Sequence, residues 1–425
     1  MGVFLFTLIA LVLLTAYGFL IAWYQRAWAH APVFTPGALR AWDVSGAQGG
    51  ISMRTTITVL VPARNEELNI GRCLRSLAAQ SYPSDLFEVI VIDDHSEDAT
   101  ADIVRSHAGG ERNVGDGLRA GAVAGLRGGV EEGGGMAGVR LIRLAELERD
   151  GSIPIKAHKK FAIETGIAAA HGELIVTTDA DCVFEAGWLW TLAGFYELTD
   201  ARFIAAPVKI DAARGRGSFL SIFQTLDFIT LQGITAAAVY KRIHSMCNGA
   251  NLAYQKAAFE EVGGFRGIDS IPSGDDMLLM HKIYRQYPDK VFFCKSPEAI
   301  VTTAPAFHWR EFFHQRIRWA SKADSYDDKR IFGVLLLVYL VNVMFLAMAV
   351  AACWNSWFIV VLLLMLVMKT MVEFPFVRGA ARFFGQGKLM IYFPAMQIFH
   401  ILYTVIIGWL GKFGSYRWKE RKISK

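Results

Sequence analysis

The sequence predicts an α/β domain with a mixed, largely parallel sheet, bracketed by N-terminal and C-terminal transmembrane helices. Three observations carry this prediction. Between residues 55 and 305, short β-branched runs alternate with stretches of helical spacing. Apolar runs long enough to cross a bilayer stand towards both ends. The chain is 53% hydrophobic with a mean hydropathy of +0.31, above an ordinary soluble domain, and the excess sits at the ends.

The first element is the apolar run 3–24. A signal peptide is the rival reading, because Ala29-His30-Ala31 resembles a cleavage site. No Lys or Arg precedes the run, however, whereas Arg26 and Arg40 follow it. The positive-inside rule then sets the N-terminus outside and the following domain in the cytoplasm. Residues 1–25 are expected to form the anchor and 26–54 a polar linker.

The α/β grammar begins at Thr55. Residues 57–61 read as a buried strand ended by Pro62, and 68–79 have helical spacing. A second strand is expected at 87–92, a helix at 99–106 and a strand at 139–144. Residues 165–170 read as helix and 174–177 as strand. The stretch 107–138 is crowded with glycine and lacks periodicity, which predicts a flexible insertion in a surface loop. A glycine-rich phosphate cradle would need a strand-Gly-helix arrangement, which does not surround it.

Residues 306–326 predict an amphipathic interface helix. Trp309, Phe312, Phe313, Ile317 and Ala320 form its apolar stripe, and Gln315, Arg318 and Trp319 share another face. A C-terminal transmembrane region, 331–412, follows. It contains a strong run at 331–354 and a second at 357–368 that meets Lys369 and Glu373. A third, at 390–410, is softened by Pro394, Gln397 and His400. The tail 413–425 is basic. Three full crossings would place it outside, so either the positive-inside rule fails here or one segment is re-entrant or interfacial.

Charge and cysteine usage exclude some classes. Lys and Arg number 44 against 39 Asp and Glu, a net charge of +5 that gives no argument for nucleic acid. The cysteines number five, with no close pair, which speaks against a disulfide framework or a zinc site and fits a reducing compartment.

The chemistry-bearing residues cluster at predicted strand ends. Asp179 and Asp181 follow a strand as Thr-Asp-Ala-Asp-Cys, and carboxylates two residues apart on extended chain point the same way. Such a pair suits a hard divalent cation carrying a diphosphate, though a helix or turn cap is the bland reading. Asp93 and Asp94 end an earlier strand, where a carboxylate can bind a ribose hydroxyl or a base edge. Ser96 or Asp98 can cap the next helix there. Pro62, Ala63, Arg64, Asn65 and Glu66 open onto the same sheet edge. Asp275 and Asp276 open a helix, favourable to its dipole, and a carboxylate there can serve as general base towards a hydroxyl acceptor.

Taken in order, these pieces resemble glycosyltransferase family 2 over residues 55–326. Pro62 to Glu67 is similar to the family's P-x-x-N-E opening, and Asp93-Asp94 to the D-D that holds the nucleoside. Lys159, with Ala162 and Gly166, resembles the G-K-x-x-A-L-N-x-G segment near the diphosphate. Asp179 and Asp181 match the D-x-D, and Asn248-Gly249-Ala250-Asn251 is similar to the G-G-N turn near the acceptor. Asp275-Asp276 matches the E/D-D whose second carboxylate is the base. Gln315-Arg316-Ile317-Arg318-Trp319 fits Q-x-x-R-W. His158, Glu164 and Arg64 depart from the pattern, standing where the family has Gly, Asn and often an aromatic against the base.

The resemblance implies a GT-A fold, inversion at the anomeric carbon and Mg²⁺ or Mn²⁺ on Asp179 and Asp181. It implies a nucleotide-sugar donor, usually UDP-linked, held by Pro62, Ala63, Arg64, Glu66, Asp93, Asp94, Lys159, Asp179, Asp181 and Arg318. Asn251, Gln315 and Trp319 are then expected at the acceptor, and Asp276, with Asp275, at the chemistry. The likeness is to the membrane branch that includes polysaccharide synthases and ceramide glucosyltransferases. The implied partners are the donor, a lipid or glycan acceptor and the membrane, with the catalytic domain on the cytoplasmic face of the cell or inner membrane; an accessory subunit stays open. Processive synthesis and a single transfer to a lipid are both compatible with Q-x-x-R-W. A nucleotidyltransferase would leave Asp276 and Trp319 without a purpose. A non-catalytic membrane scaffold should show paired intramembrane charges, for which only Lys369 and Glu373 are candidates.

Overall fold

The computed structural model describes residues 2–36, 54–108, 112–113, 130–132, 138–147, 157–215, 217–244, 246–271, 274–322, 329–414, 416–418 and 421–423. Its chain contacts divide it into two compact units. One comprises Val33–Lys209 and Met246–Ala304, and the other Met1–Pro32, Ile210–Ser245 and Pro305–Lys425.

The first unit is built on a sheet. Its strands, in chain order, are Ile57–Ala63 (β1), Phe87–Asp93 (β2), Arg112–Asn113 (β3), Val130–Glu132 (β4), Val139–Arg143 (β5), Leu174–Thr177 (β6), Phe203–Ala205 (β7), Val208–Ile210 (β8), Leu252–Gln255 (β9), Val291–Phe293 (β10) and Val301–Thr303 (β11). The main sheet runs β10-β7-β9-β6-β1-β2-β5-β4-β3, and β8 pairs with β11 apart from it. β6, β1, β2 and β5 are mutually parallel, whereas β9 is antiparallel to both β6 and β7. The predicted sheet is therefore present, mixed and mostly parallel at its centre. Within the glycine-rich stretch only 107–108, 112–113, 130–132 and 138 are described. Arg112–Asn113 and Val130–Glu132 form an antiparallel pair that extends the sheet edge. The rest of that predicted insertion, like most of the 26–54 linker, lies outside the described residues.

β1 shows why the centre holds. Ile-Thr-Val-Leu-Val is buried on both faces, as parallel strands covered by helices require. The one polar member, Thr58, donates to Glu88 Oε1 at 2.7 Å and accepts from Gly172 N–H at 2.8 Å. A Cβ at Gly172 would stand 2.4 Å from the Thr58 nitrogen, so only glycine admits this approach. β1 also runs through Pro62 rather than ending at it. The Leu60 carbonyl accepts from Thr178 on the β6 side, and Pro62, two residues on, presents its missing N–H to that same side beyond the end of β6.

The other unit is helical. Among the described residues its long helices are Gly2–His30, Phe219–Tyr240, Lys329–Ala351, Trp357–Phe383 and Phe393–Phe413, all five long and apolar enough to cross a membrane. The shorter Trp309–Ala320 helix packs on Phe393–Phe413, where a Cβ at Gly411 would sit 2.5 Å from that of Ala320. The Ile210–Ser245 segment thus packs with the apolar helices, although its sequence position lies within the expected catalytic stretch.

Two buried ionic groups tie these helices together. Lys369 Nζ lies 2.6 Å from Glu373 Oε1 and donates to Gln397 Oε1 at 2.6 Å. Gln397 donates to Glu373, and so does the Tyr17 hydroxyl, which joins three helices. Arg316 Nη2 lies 2.9 Å from Asp227 Oδ2, and its guanidinium stacks over Phe312 and Trp319. Arg316 is buried beside Phe312 and Ile317, a placement that the apolar stripe of the sequence does not anticipate.

Candidate active site

Because β1, β2 and β6 are parallel, their C-terminal ends open on one edge of the sheet. That edge receives Pro62 to Glu66, Asp93 and Asp94, and Asp179 and Asp181. The loops after β1 and β2 are laced together. Asn65 N–H donates to Ser96 Oγ at 3.0 Å, Glu97 N–H to Asn65 Oδ1 at 2.9 Å, and Glu66 N–H to Thr100 Oγ1 at 2.7 Å. Asn65 and His95 both adopt positive φ, 51° and 59°, a conformation uncommon outside glycine and concentrated at such sites. Asp98 accepts from Thr100 N–H at 2.9 Å and so acts as the local cap, which leaves Asp93 and Asp94 for other partners.

Asp93 is fully buried. Its Oδ1 accepts from Ser96 N–H at 3.1 Å. Its Oδ2 lies 3.7 Å from Arg143 Nε and accepts no hydrogen bond from any described residue. Asp94 Oδ1 is approached by His95 Nδ1 at 3.0 Å and His158 Nδ1 at 3.4 Å, and its carbonyl accepts from Arg64 Nη1 at 3.0 Å. His158, a departure from the family pattern, thus stands beside Asp94.

The helix His158–Ala169 then brings Lys159 to the next strand end. Lys159 Nζ donates to Asp179 Oδ1 at 2.8 Å and lies 3.4 Å from Asp275 Oδ2. Burial alone would lower the pKa of this ammonium. The carboxylates of Asp179, Asp275 and Asp276 outweigh it and raise the pKa above the ordinary lysine range. Gly249 sits at the crossing: a Cβ there would meet Lys159 Nζ at 3.2 Å and Asp275 Oδ2 at 3.3 Å. Asp276 accepts from Met277 N–H at 2.7 Å as the cap of the helix Met277–Gln286, and from Gly249 N–H at 3.3 Å. The helix cap and the shared site therefore hold together for this residue.

Asp181 faces a different neighbour, accepting from Thr303 Oγ1 on β11 at 2.8 Å. Among the described residues no group of three or more His, Cys, Asp or Glu is arranged to hold a metal unaided. Asp179 and Asp181 are carboxylates of the kind that could hold a cation arriving with a diphosphate. Asp179 is 40% exposed, and a hard cation commonly takes one or two carboxylates together with phosphate oxygens and water.

The remaining expected site residues have their own local surroundings. Asn251 is fully buried: its amide donates to the Pro207 and Ala299 carbonyls at 2.8 Å and accepts from Trp188 Nε1 at 3.1 Å, which makes it a brace between the β7–β8 connection, the turn Pro297–Ala299 and the helix Trp188–Thr199. Gln315, Arg318 and Trp319 are half-buried on the Trp309–Ala320 helix of the other unit, where the Trp319 ring lies 5.9 Å from that of Phe228. Thr303, Arg143 and the placement of Gly249 escape the sequence reading. Only Gly249 carried a signal, the Asn-Gly-Ala-Asn turn.

The sheet, with its antiparallel β9 and its acidic strand ends, belongs to an α/β domain whose candidate ligand site lies at the C-terminal edge of its parallel strands. The chain belongs to the glycosyltransferase like family 2, whose model matches residues 54–321, more than half of its length. The fold is accordingly GT-A. Its similar curated proteins include "Probable glycosyltransferase YdaM" of Bacillus subtilis, 24% identical over 265 residues, which are 62% of this chain and 54% of that protein. Glycosyltransferase AglE of Haloferax volcanii is 32% identical over 133 residues, 31% of this chain and 33% of that protein. The match thus spans about half the length of the first relative and a third of the second. Among solved structures, the mannosyltransferase PcManGT of Pyrobaculum calidifontis, in complex with GDP-Man and Mn²⁺, is 19% identical. It has a TM-score of 0.48 over 93% of this chain and 99% of that one.

Proposed function

We propose that this chain is a membrane-bound, inverting glycosyltransferase that moves a sugar from a nucleotide-sugar donor, UDP-linked, onto a lipid or a growing glycan. The observation that carries the reading is Lys159 between Asp179 and Asp275, with Gly249 and Asp276 at the same crossing. One strand edge thereby gathers a cation suited to phosphate, carboxylates suited to a metal and a carboxylate suited to act as base.

In this reading Asp93 and Asp94 hold the nucleoside, and Asp93 Oδ2, ion-paired with Arg143 but accepting no hydrogen bond from a described residue, is the acceptor for a ribose or base donor. Lys159 exchanges part of its contact with Asp179 for the diphosphate, while Asp275 keeps it in place. Mg²⁺ or Mn²⁺ on Asp179 and Asp181 would supply charge compensation for the leaving diphosphate. Asp276, oriented by two backbone N–H groups, takes the proton of the acceptor hydroxyl. The acceptor oxygen forms its bond to the anomeric carbon on the face opposite the phosphate. The bond from that carbon to the phosphate oxygen breaks, and the nucleoside diphosphate leaves. The five apolar helices support a membrane location and an acceptor presented from the bilayer. The roles proposed for Gln315, Arg318 and Trp319 rest on the Q-x-x-R-W resemblance.

The test is nucleotide release by the purified protein in lipid, across a panel of UDP-, GDP- and dTDP-sugars with Mg²⁺ or Mn²⁺, with analysis of the lipid and polymer fractions. Release with one donor and a labelled lipid or glycan is expected. Absence of release with every donor, in the presence of native membrane lipid, contradicts the reading.

A further inference from the structure

The helix His158–Ala169 carries two adjacent lysines with different work. Lys159 reaches the carboxylates, whereas Lys160 points to the other side and is only 2% exposed. Its Nζ donates to the carbonyls of Ile268 at 2.6 Å and Ile271 at 2.8 Å, 6.0 Å from the centre of the Phe265 ring. One turn on, Glu164 Oε1 accepts from Phe265 N–H at 3.1 Å. From the helix Met277–Gln286, Lys282 donates to the Gly264 and Arg266 carbonyls. The segment 263–271 is a run of turns in which Gly263, Gly264 and Gly267 all have positive φ. The backbone bonds within this segment are short-range turn bonds, Arg266 N–H to the Gly263 carbonyl, Ile268 N–H to Phe265 and Ile271 N–H to Ile268, so the side-chain anchors are what tie it to the neighbouring helices. Its far end leads within a few residues to Gly274, Asp275 and Asp276.

We propose that Lys160 is a positioning residue: by clamping the Ile268 and Ile271 carbonyls it fixes the segment that delivers Asp275 and Asp276 opposite Lys159 and Asp179. Its kinetic consequence rests on the glycosyltransferase reading above, whereas the clamp itself does not. One helix would thus set both halves of the site, the phosphate-facing ammonium through Lys159 and the base through Lys160. Lys160→Met removes the ammonium from both carbonyls, of which that of Ile268 keeps its bond from Ile271 N–H, at nearly unchanged side-chain volume. A base displaced by about 1 Å costs as much as ~100-fold in rate while leaving donor contacts in place.

The experiment compares wild type, Lys160→Met and Lys160→Arg in lipid nanodiscs by hydrogen exchange and by transfer kinetics. Peptides covering 263–276 are expected to exchange faster in Lys160→Met, with β1 and β6 unchanged. Turnover per nucleotide-binding site is expected to fall about 10- to 100-fold with donor KM within about twofold of wild type, and Lys160→Arg is expected to recover most of it. If Lys160→Met does not fold, Glu164→Ala, which releases the Phe265 N–H, gives the same two readouts at smaller amplitude. Unchanged exchange over 263–276 overturns the clamp. Faster exchange with unchanged turnover, or turnover and donor affinity lost in parallel, overturns the positioning role. A wild-type protein that transfers no sugar overturns the glycosyltransferase reading instead.

Discussion

Lys159 Nζ donates to Asp179 Oδ1 across 2.8 Å and so joins the start of one helix to the end of strand β6. The same ammonium stands 3.4 Å from Asp275 Oδ2, and the backbone of Gly249 passes beside both. One cation therefore organises carboxylates from two distant stretches of chain, which is the arrangement that a diphosphate would be expected to enter.

The crossing is tight for a methyl group. Gly249→Ala keeps an allowed backbone conformation but pushes a Cβ to 3.2 Å from Lys159 Nζ and 3.3 Å from Asp275 Oδ2. Turnover should fall about 10-fold or more, since sub-ångström displacement of reacting groups is costly, with little change in thermal stability. Wild-type turnover in this variant would show that the crossing is not the reaction centre.

Asp181 should matter to nucleotide binding through the cation. With Asp181→Ala, UDP affinity measured by calorimetry should lose most of its dependence on Mg²⁺ or Mn²⁺, because one of the two carboxylates proposed to hold the cation is gone. Equal dependence in variant and wild type would place the metal elsewhere.

Acid should weaken the sheet unit through Glu88. Burial by itself would raise its pKa, but the His171 N–H, Thr58, and Arg140 at 2.8 Å together lower it below the ordinary 4.5. A carboxylate with a depressed folded-state pKa stabilises the fold above its unfolded value, and that contribution is lost as pH falls through the folded value. Glu88→Gln should thus be less stable than wild type at pH 7 by about 1–3 kcal/mol, with the gap closing below pH 4.5. Thermal unfolding of the two proteins across pH reads this directly, and a gap that is constant with pH would contradict it.

The central strands were legible because residues buried on both faces leave a continuous β-branched signal, and 174–177 matches β6 to the residue. The helix preceding β6 begins at His158, earlier than periodicity placed it. Its first turn is His-Lys-Lys, and Ala157 offers no capping side chain. Phe219–Tyr240 was hidden by polar residues that only tertiary contact satisfies. Gln224, for example, exchanges two 3.0 Å hydrogen bonds with the backbone of Ala306. The helix expected to stop near Lys369 continues to Phe383 because Lys369 and Glu373 neutralise each other inside the bundle.

The acidic residues of the site were legible from their position after strands. Their partners were not, because Thr303 on Asp181, His158 on Asp94 and Gly249 beside Lys159 are long-range contacts that no local pattern encodes. Asn251 shows the converse. A residue in a motif-like turn was expected at the acceptor, yet its amide is consumed by three buried hydrogen bonds.

The most direct test measures turnover and nucleotide binding side by side for wild type and Asp276→Asn in lipid. Asn keeps the size of the side chain and an oxygen for one of the two N–H groups that Asp276 accepts from, Met277 or Gly249, but it cannot take a proton. The account predicts donor-nucleotide affinity within about twofold of wild type and turnover reduced by about 100-fold or more. Turnover retained in Asp276→Asn, or donor affinity lost along with it, would contradict the assignment of Asp276 as the base.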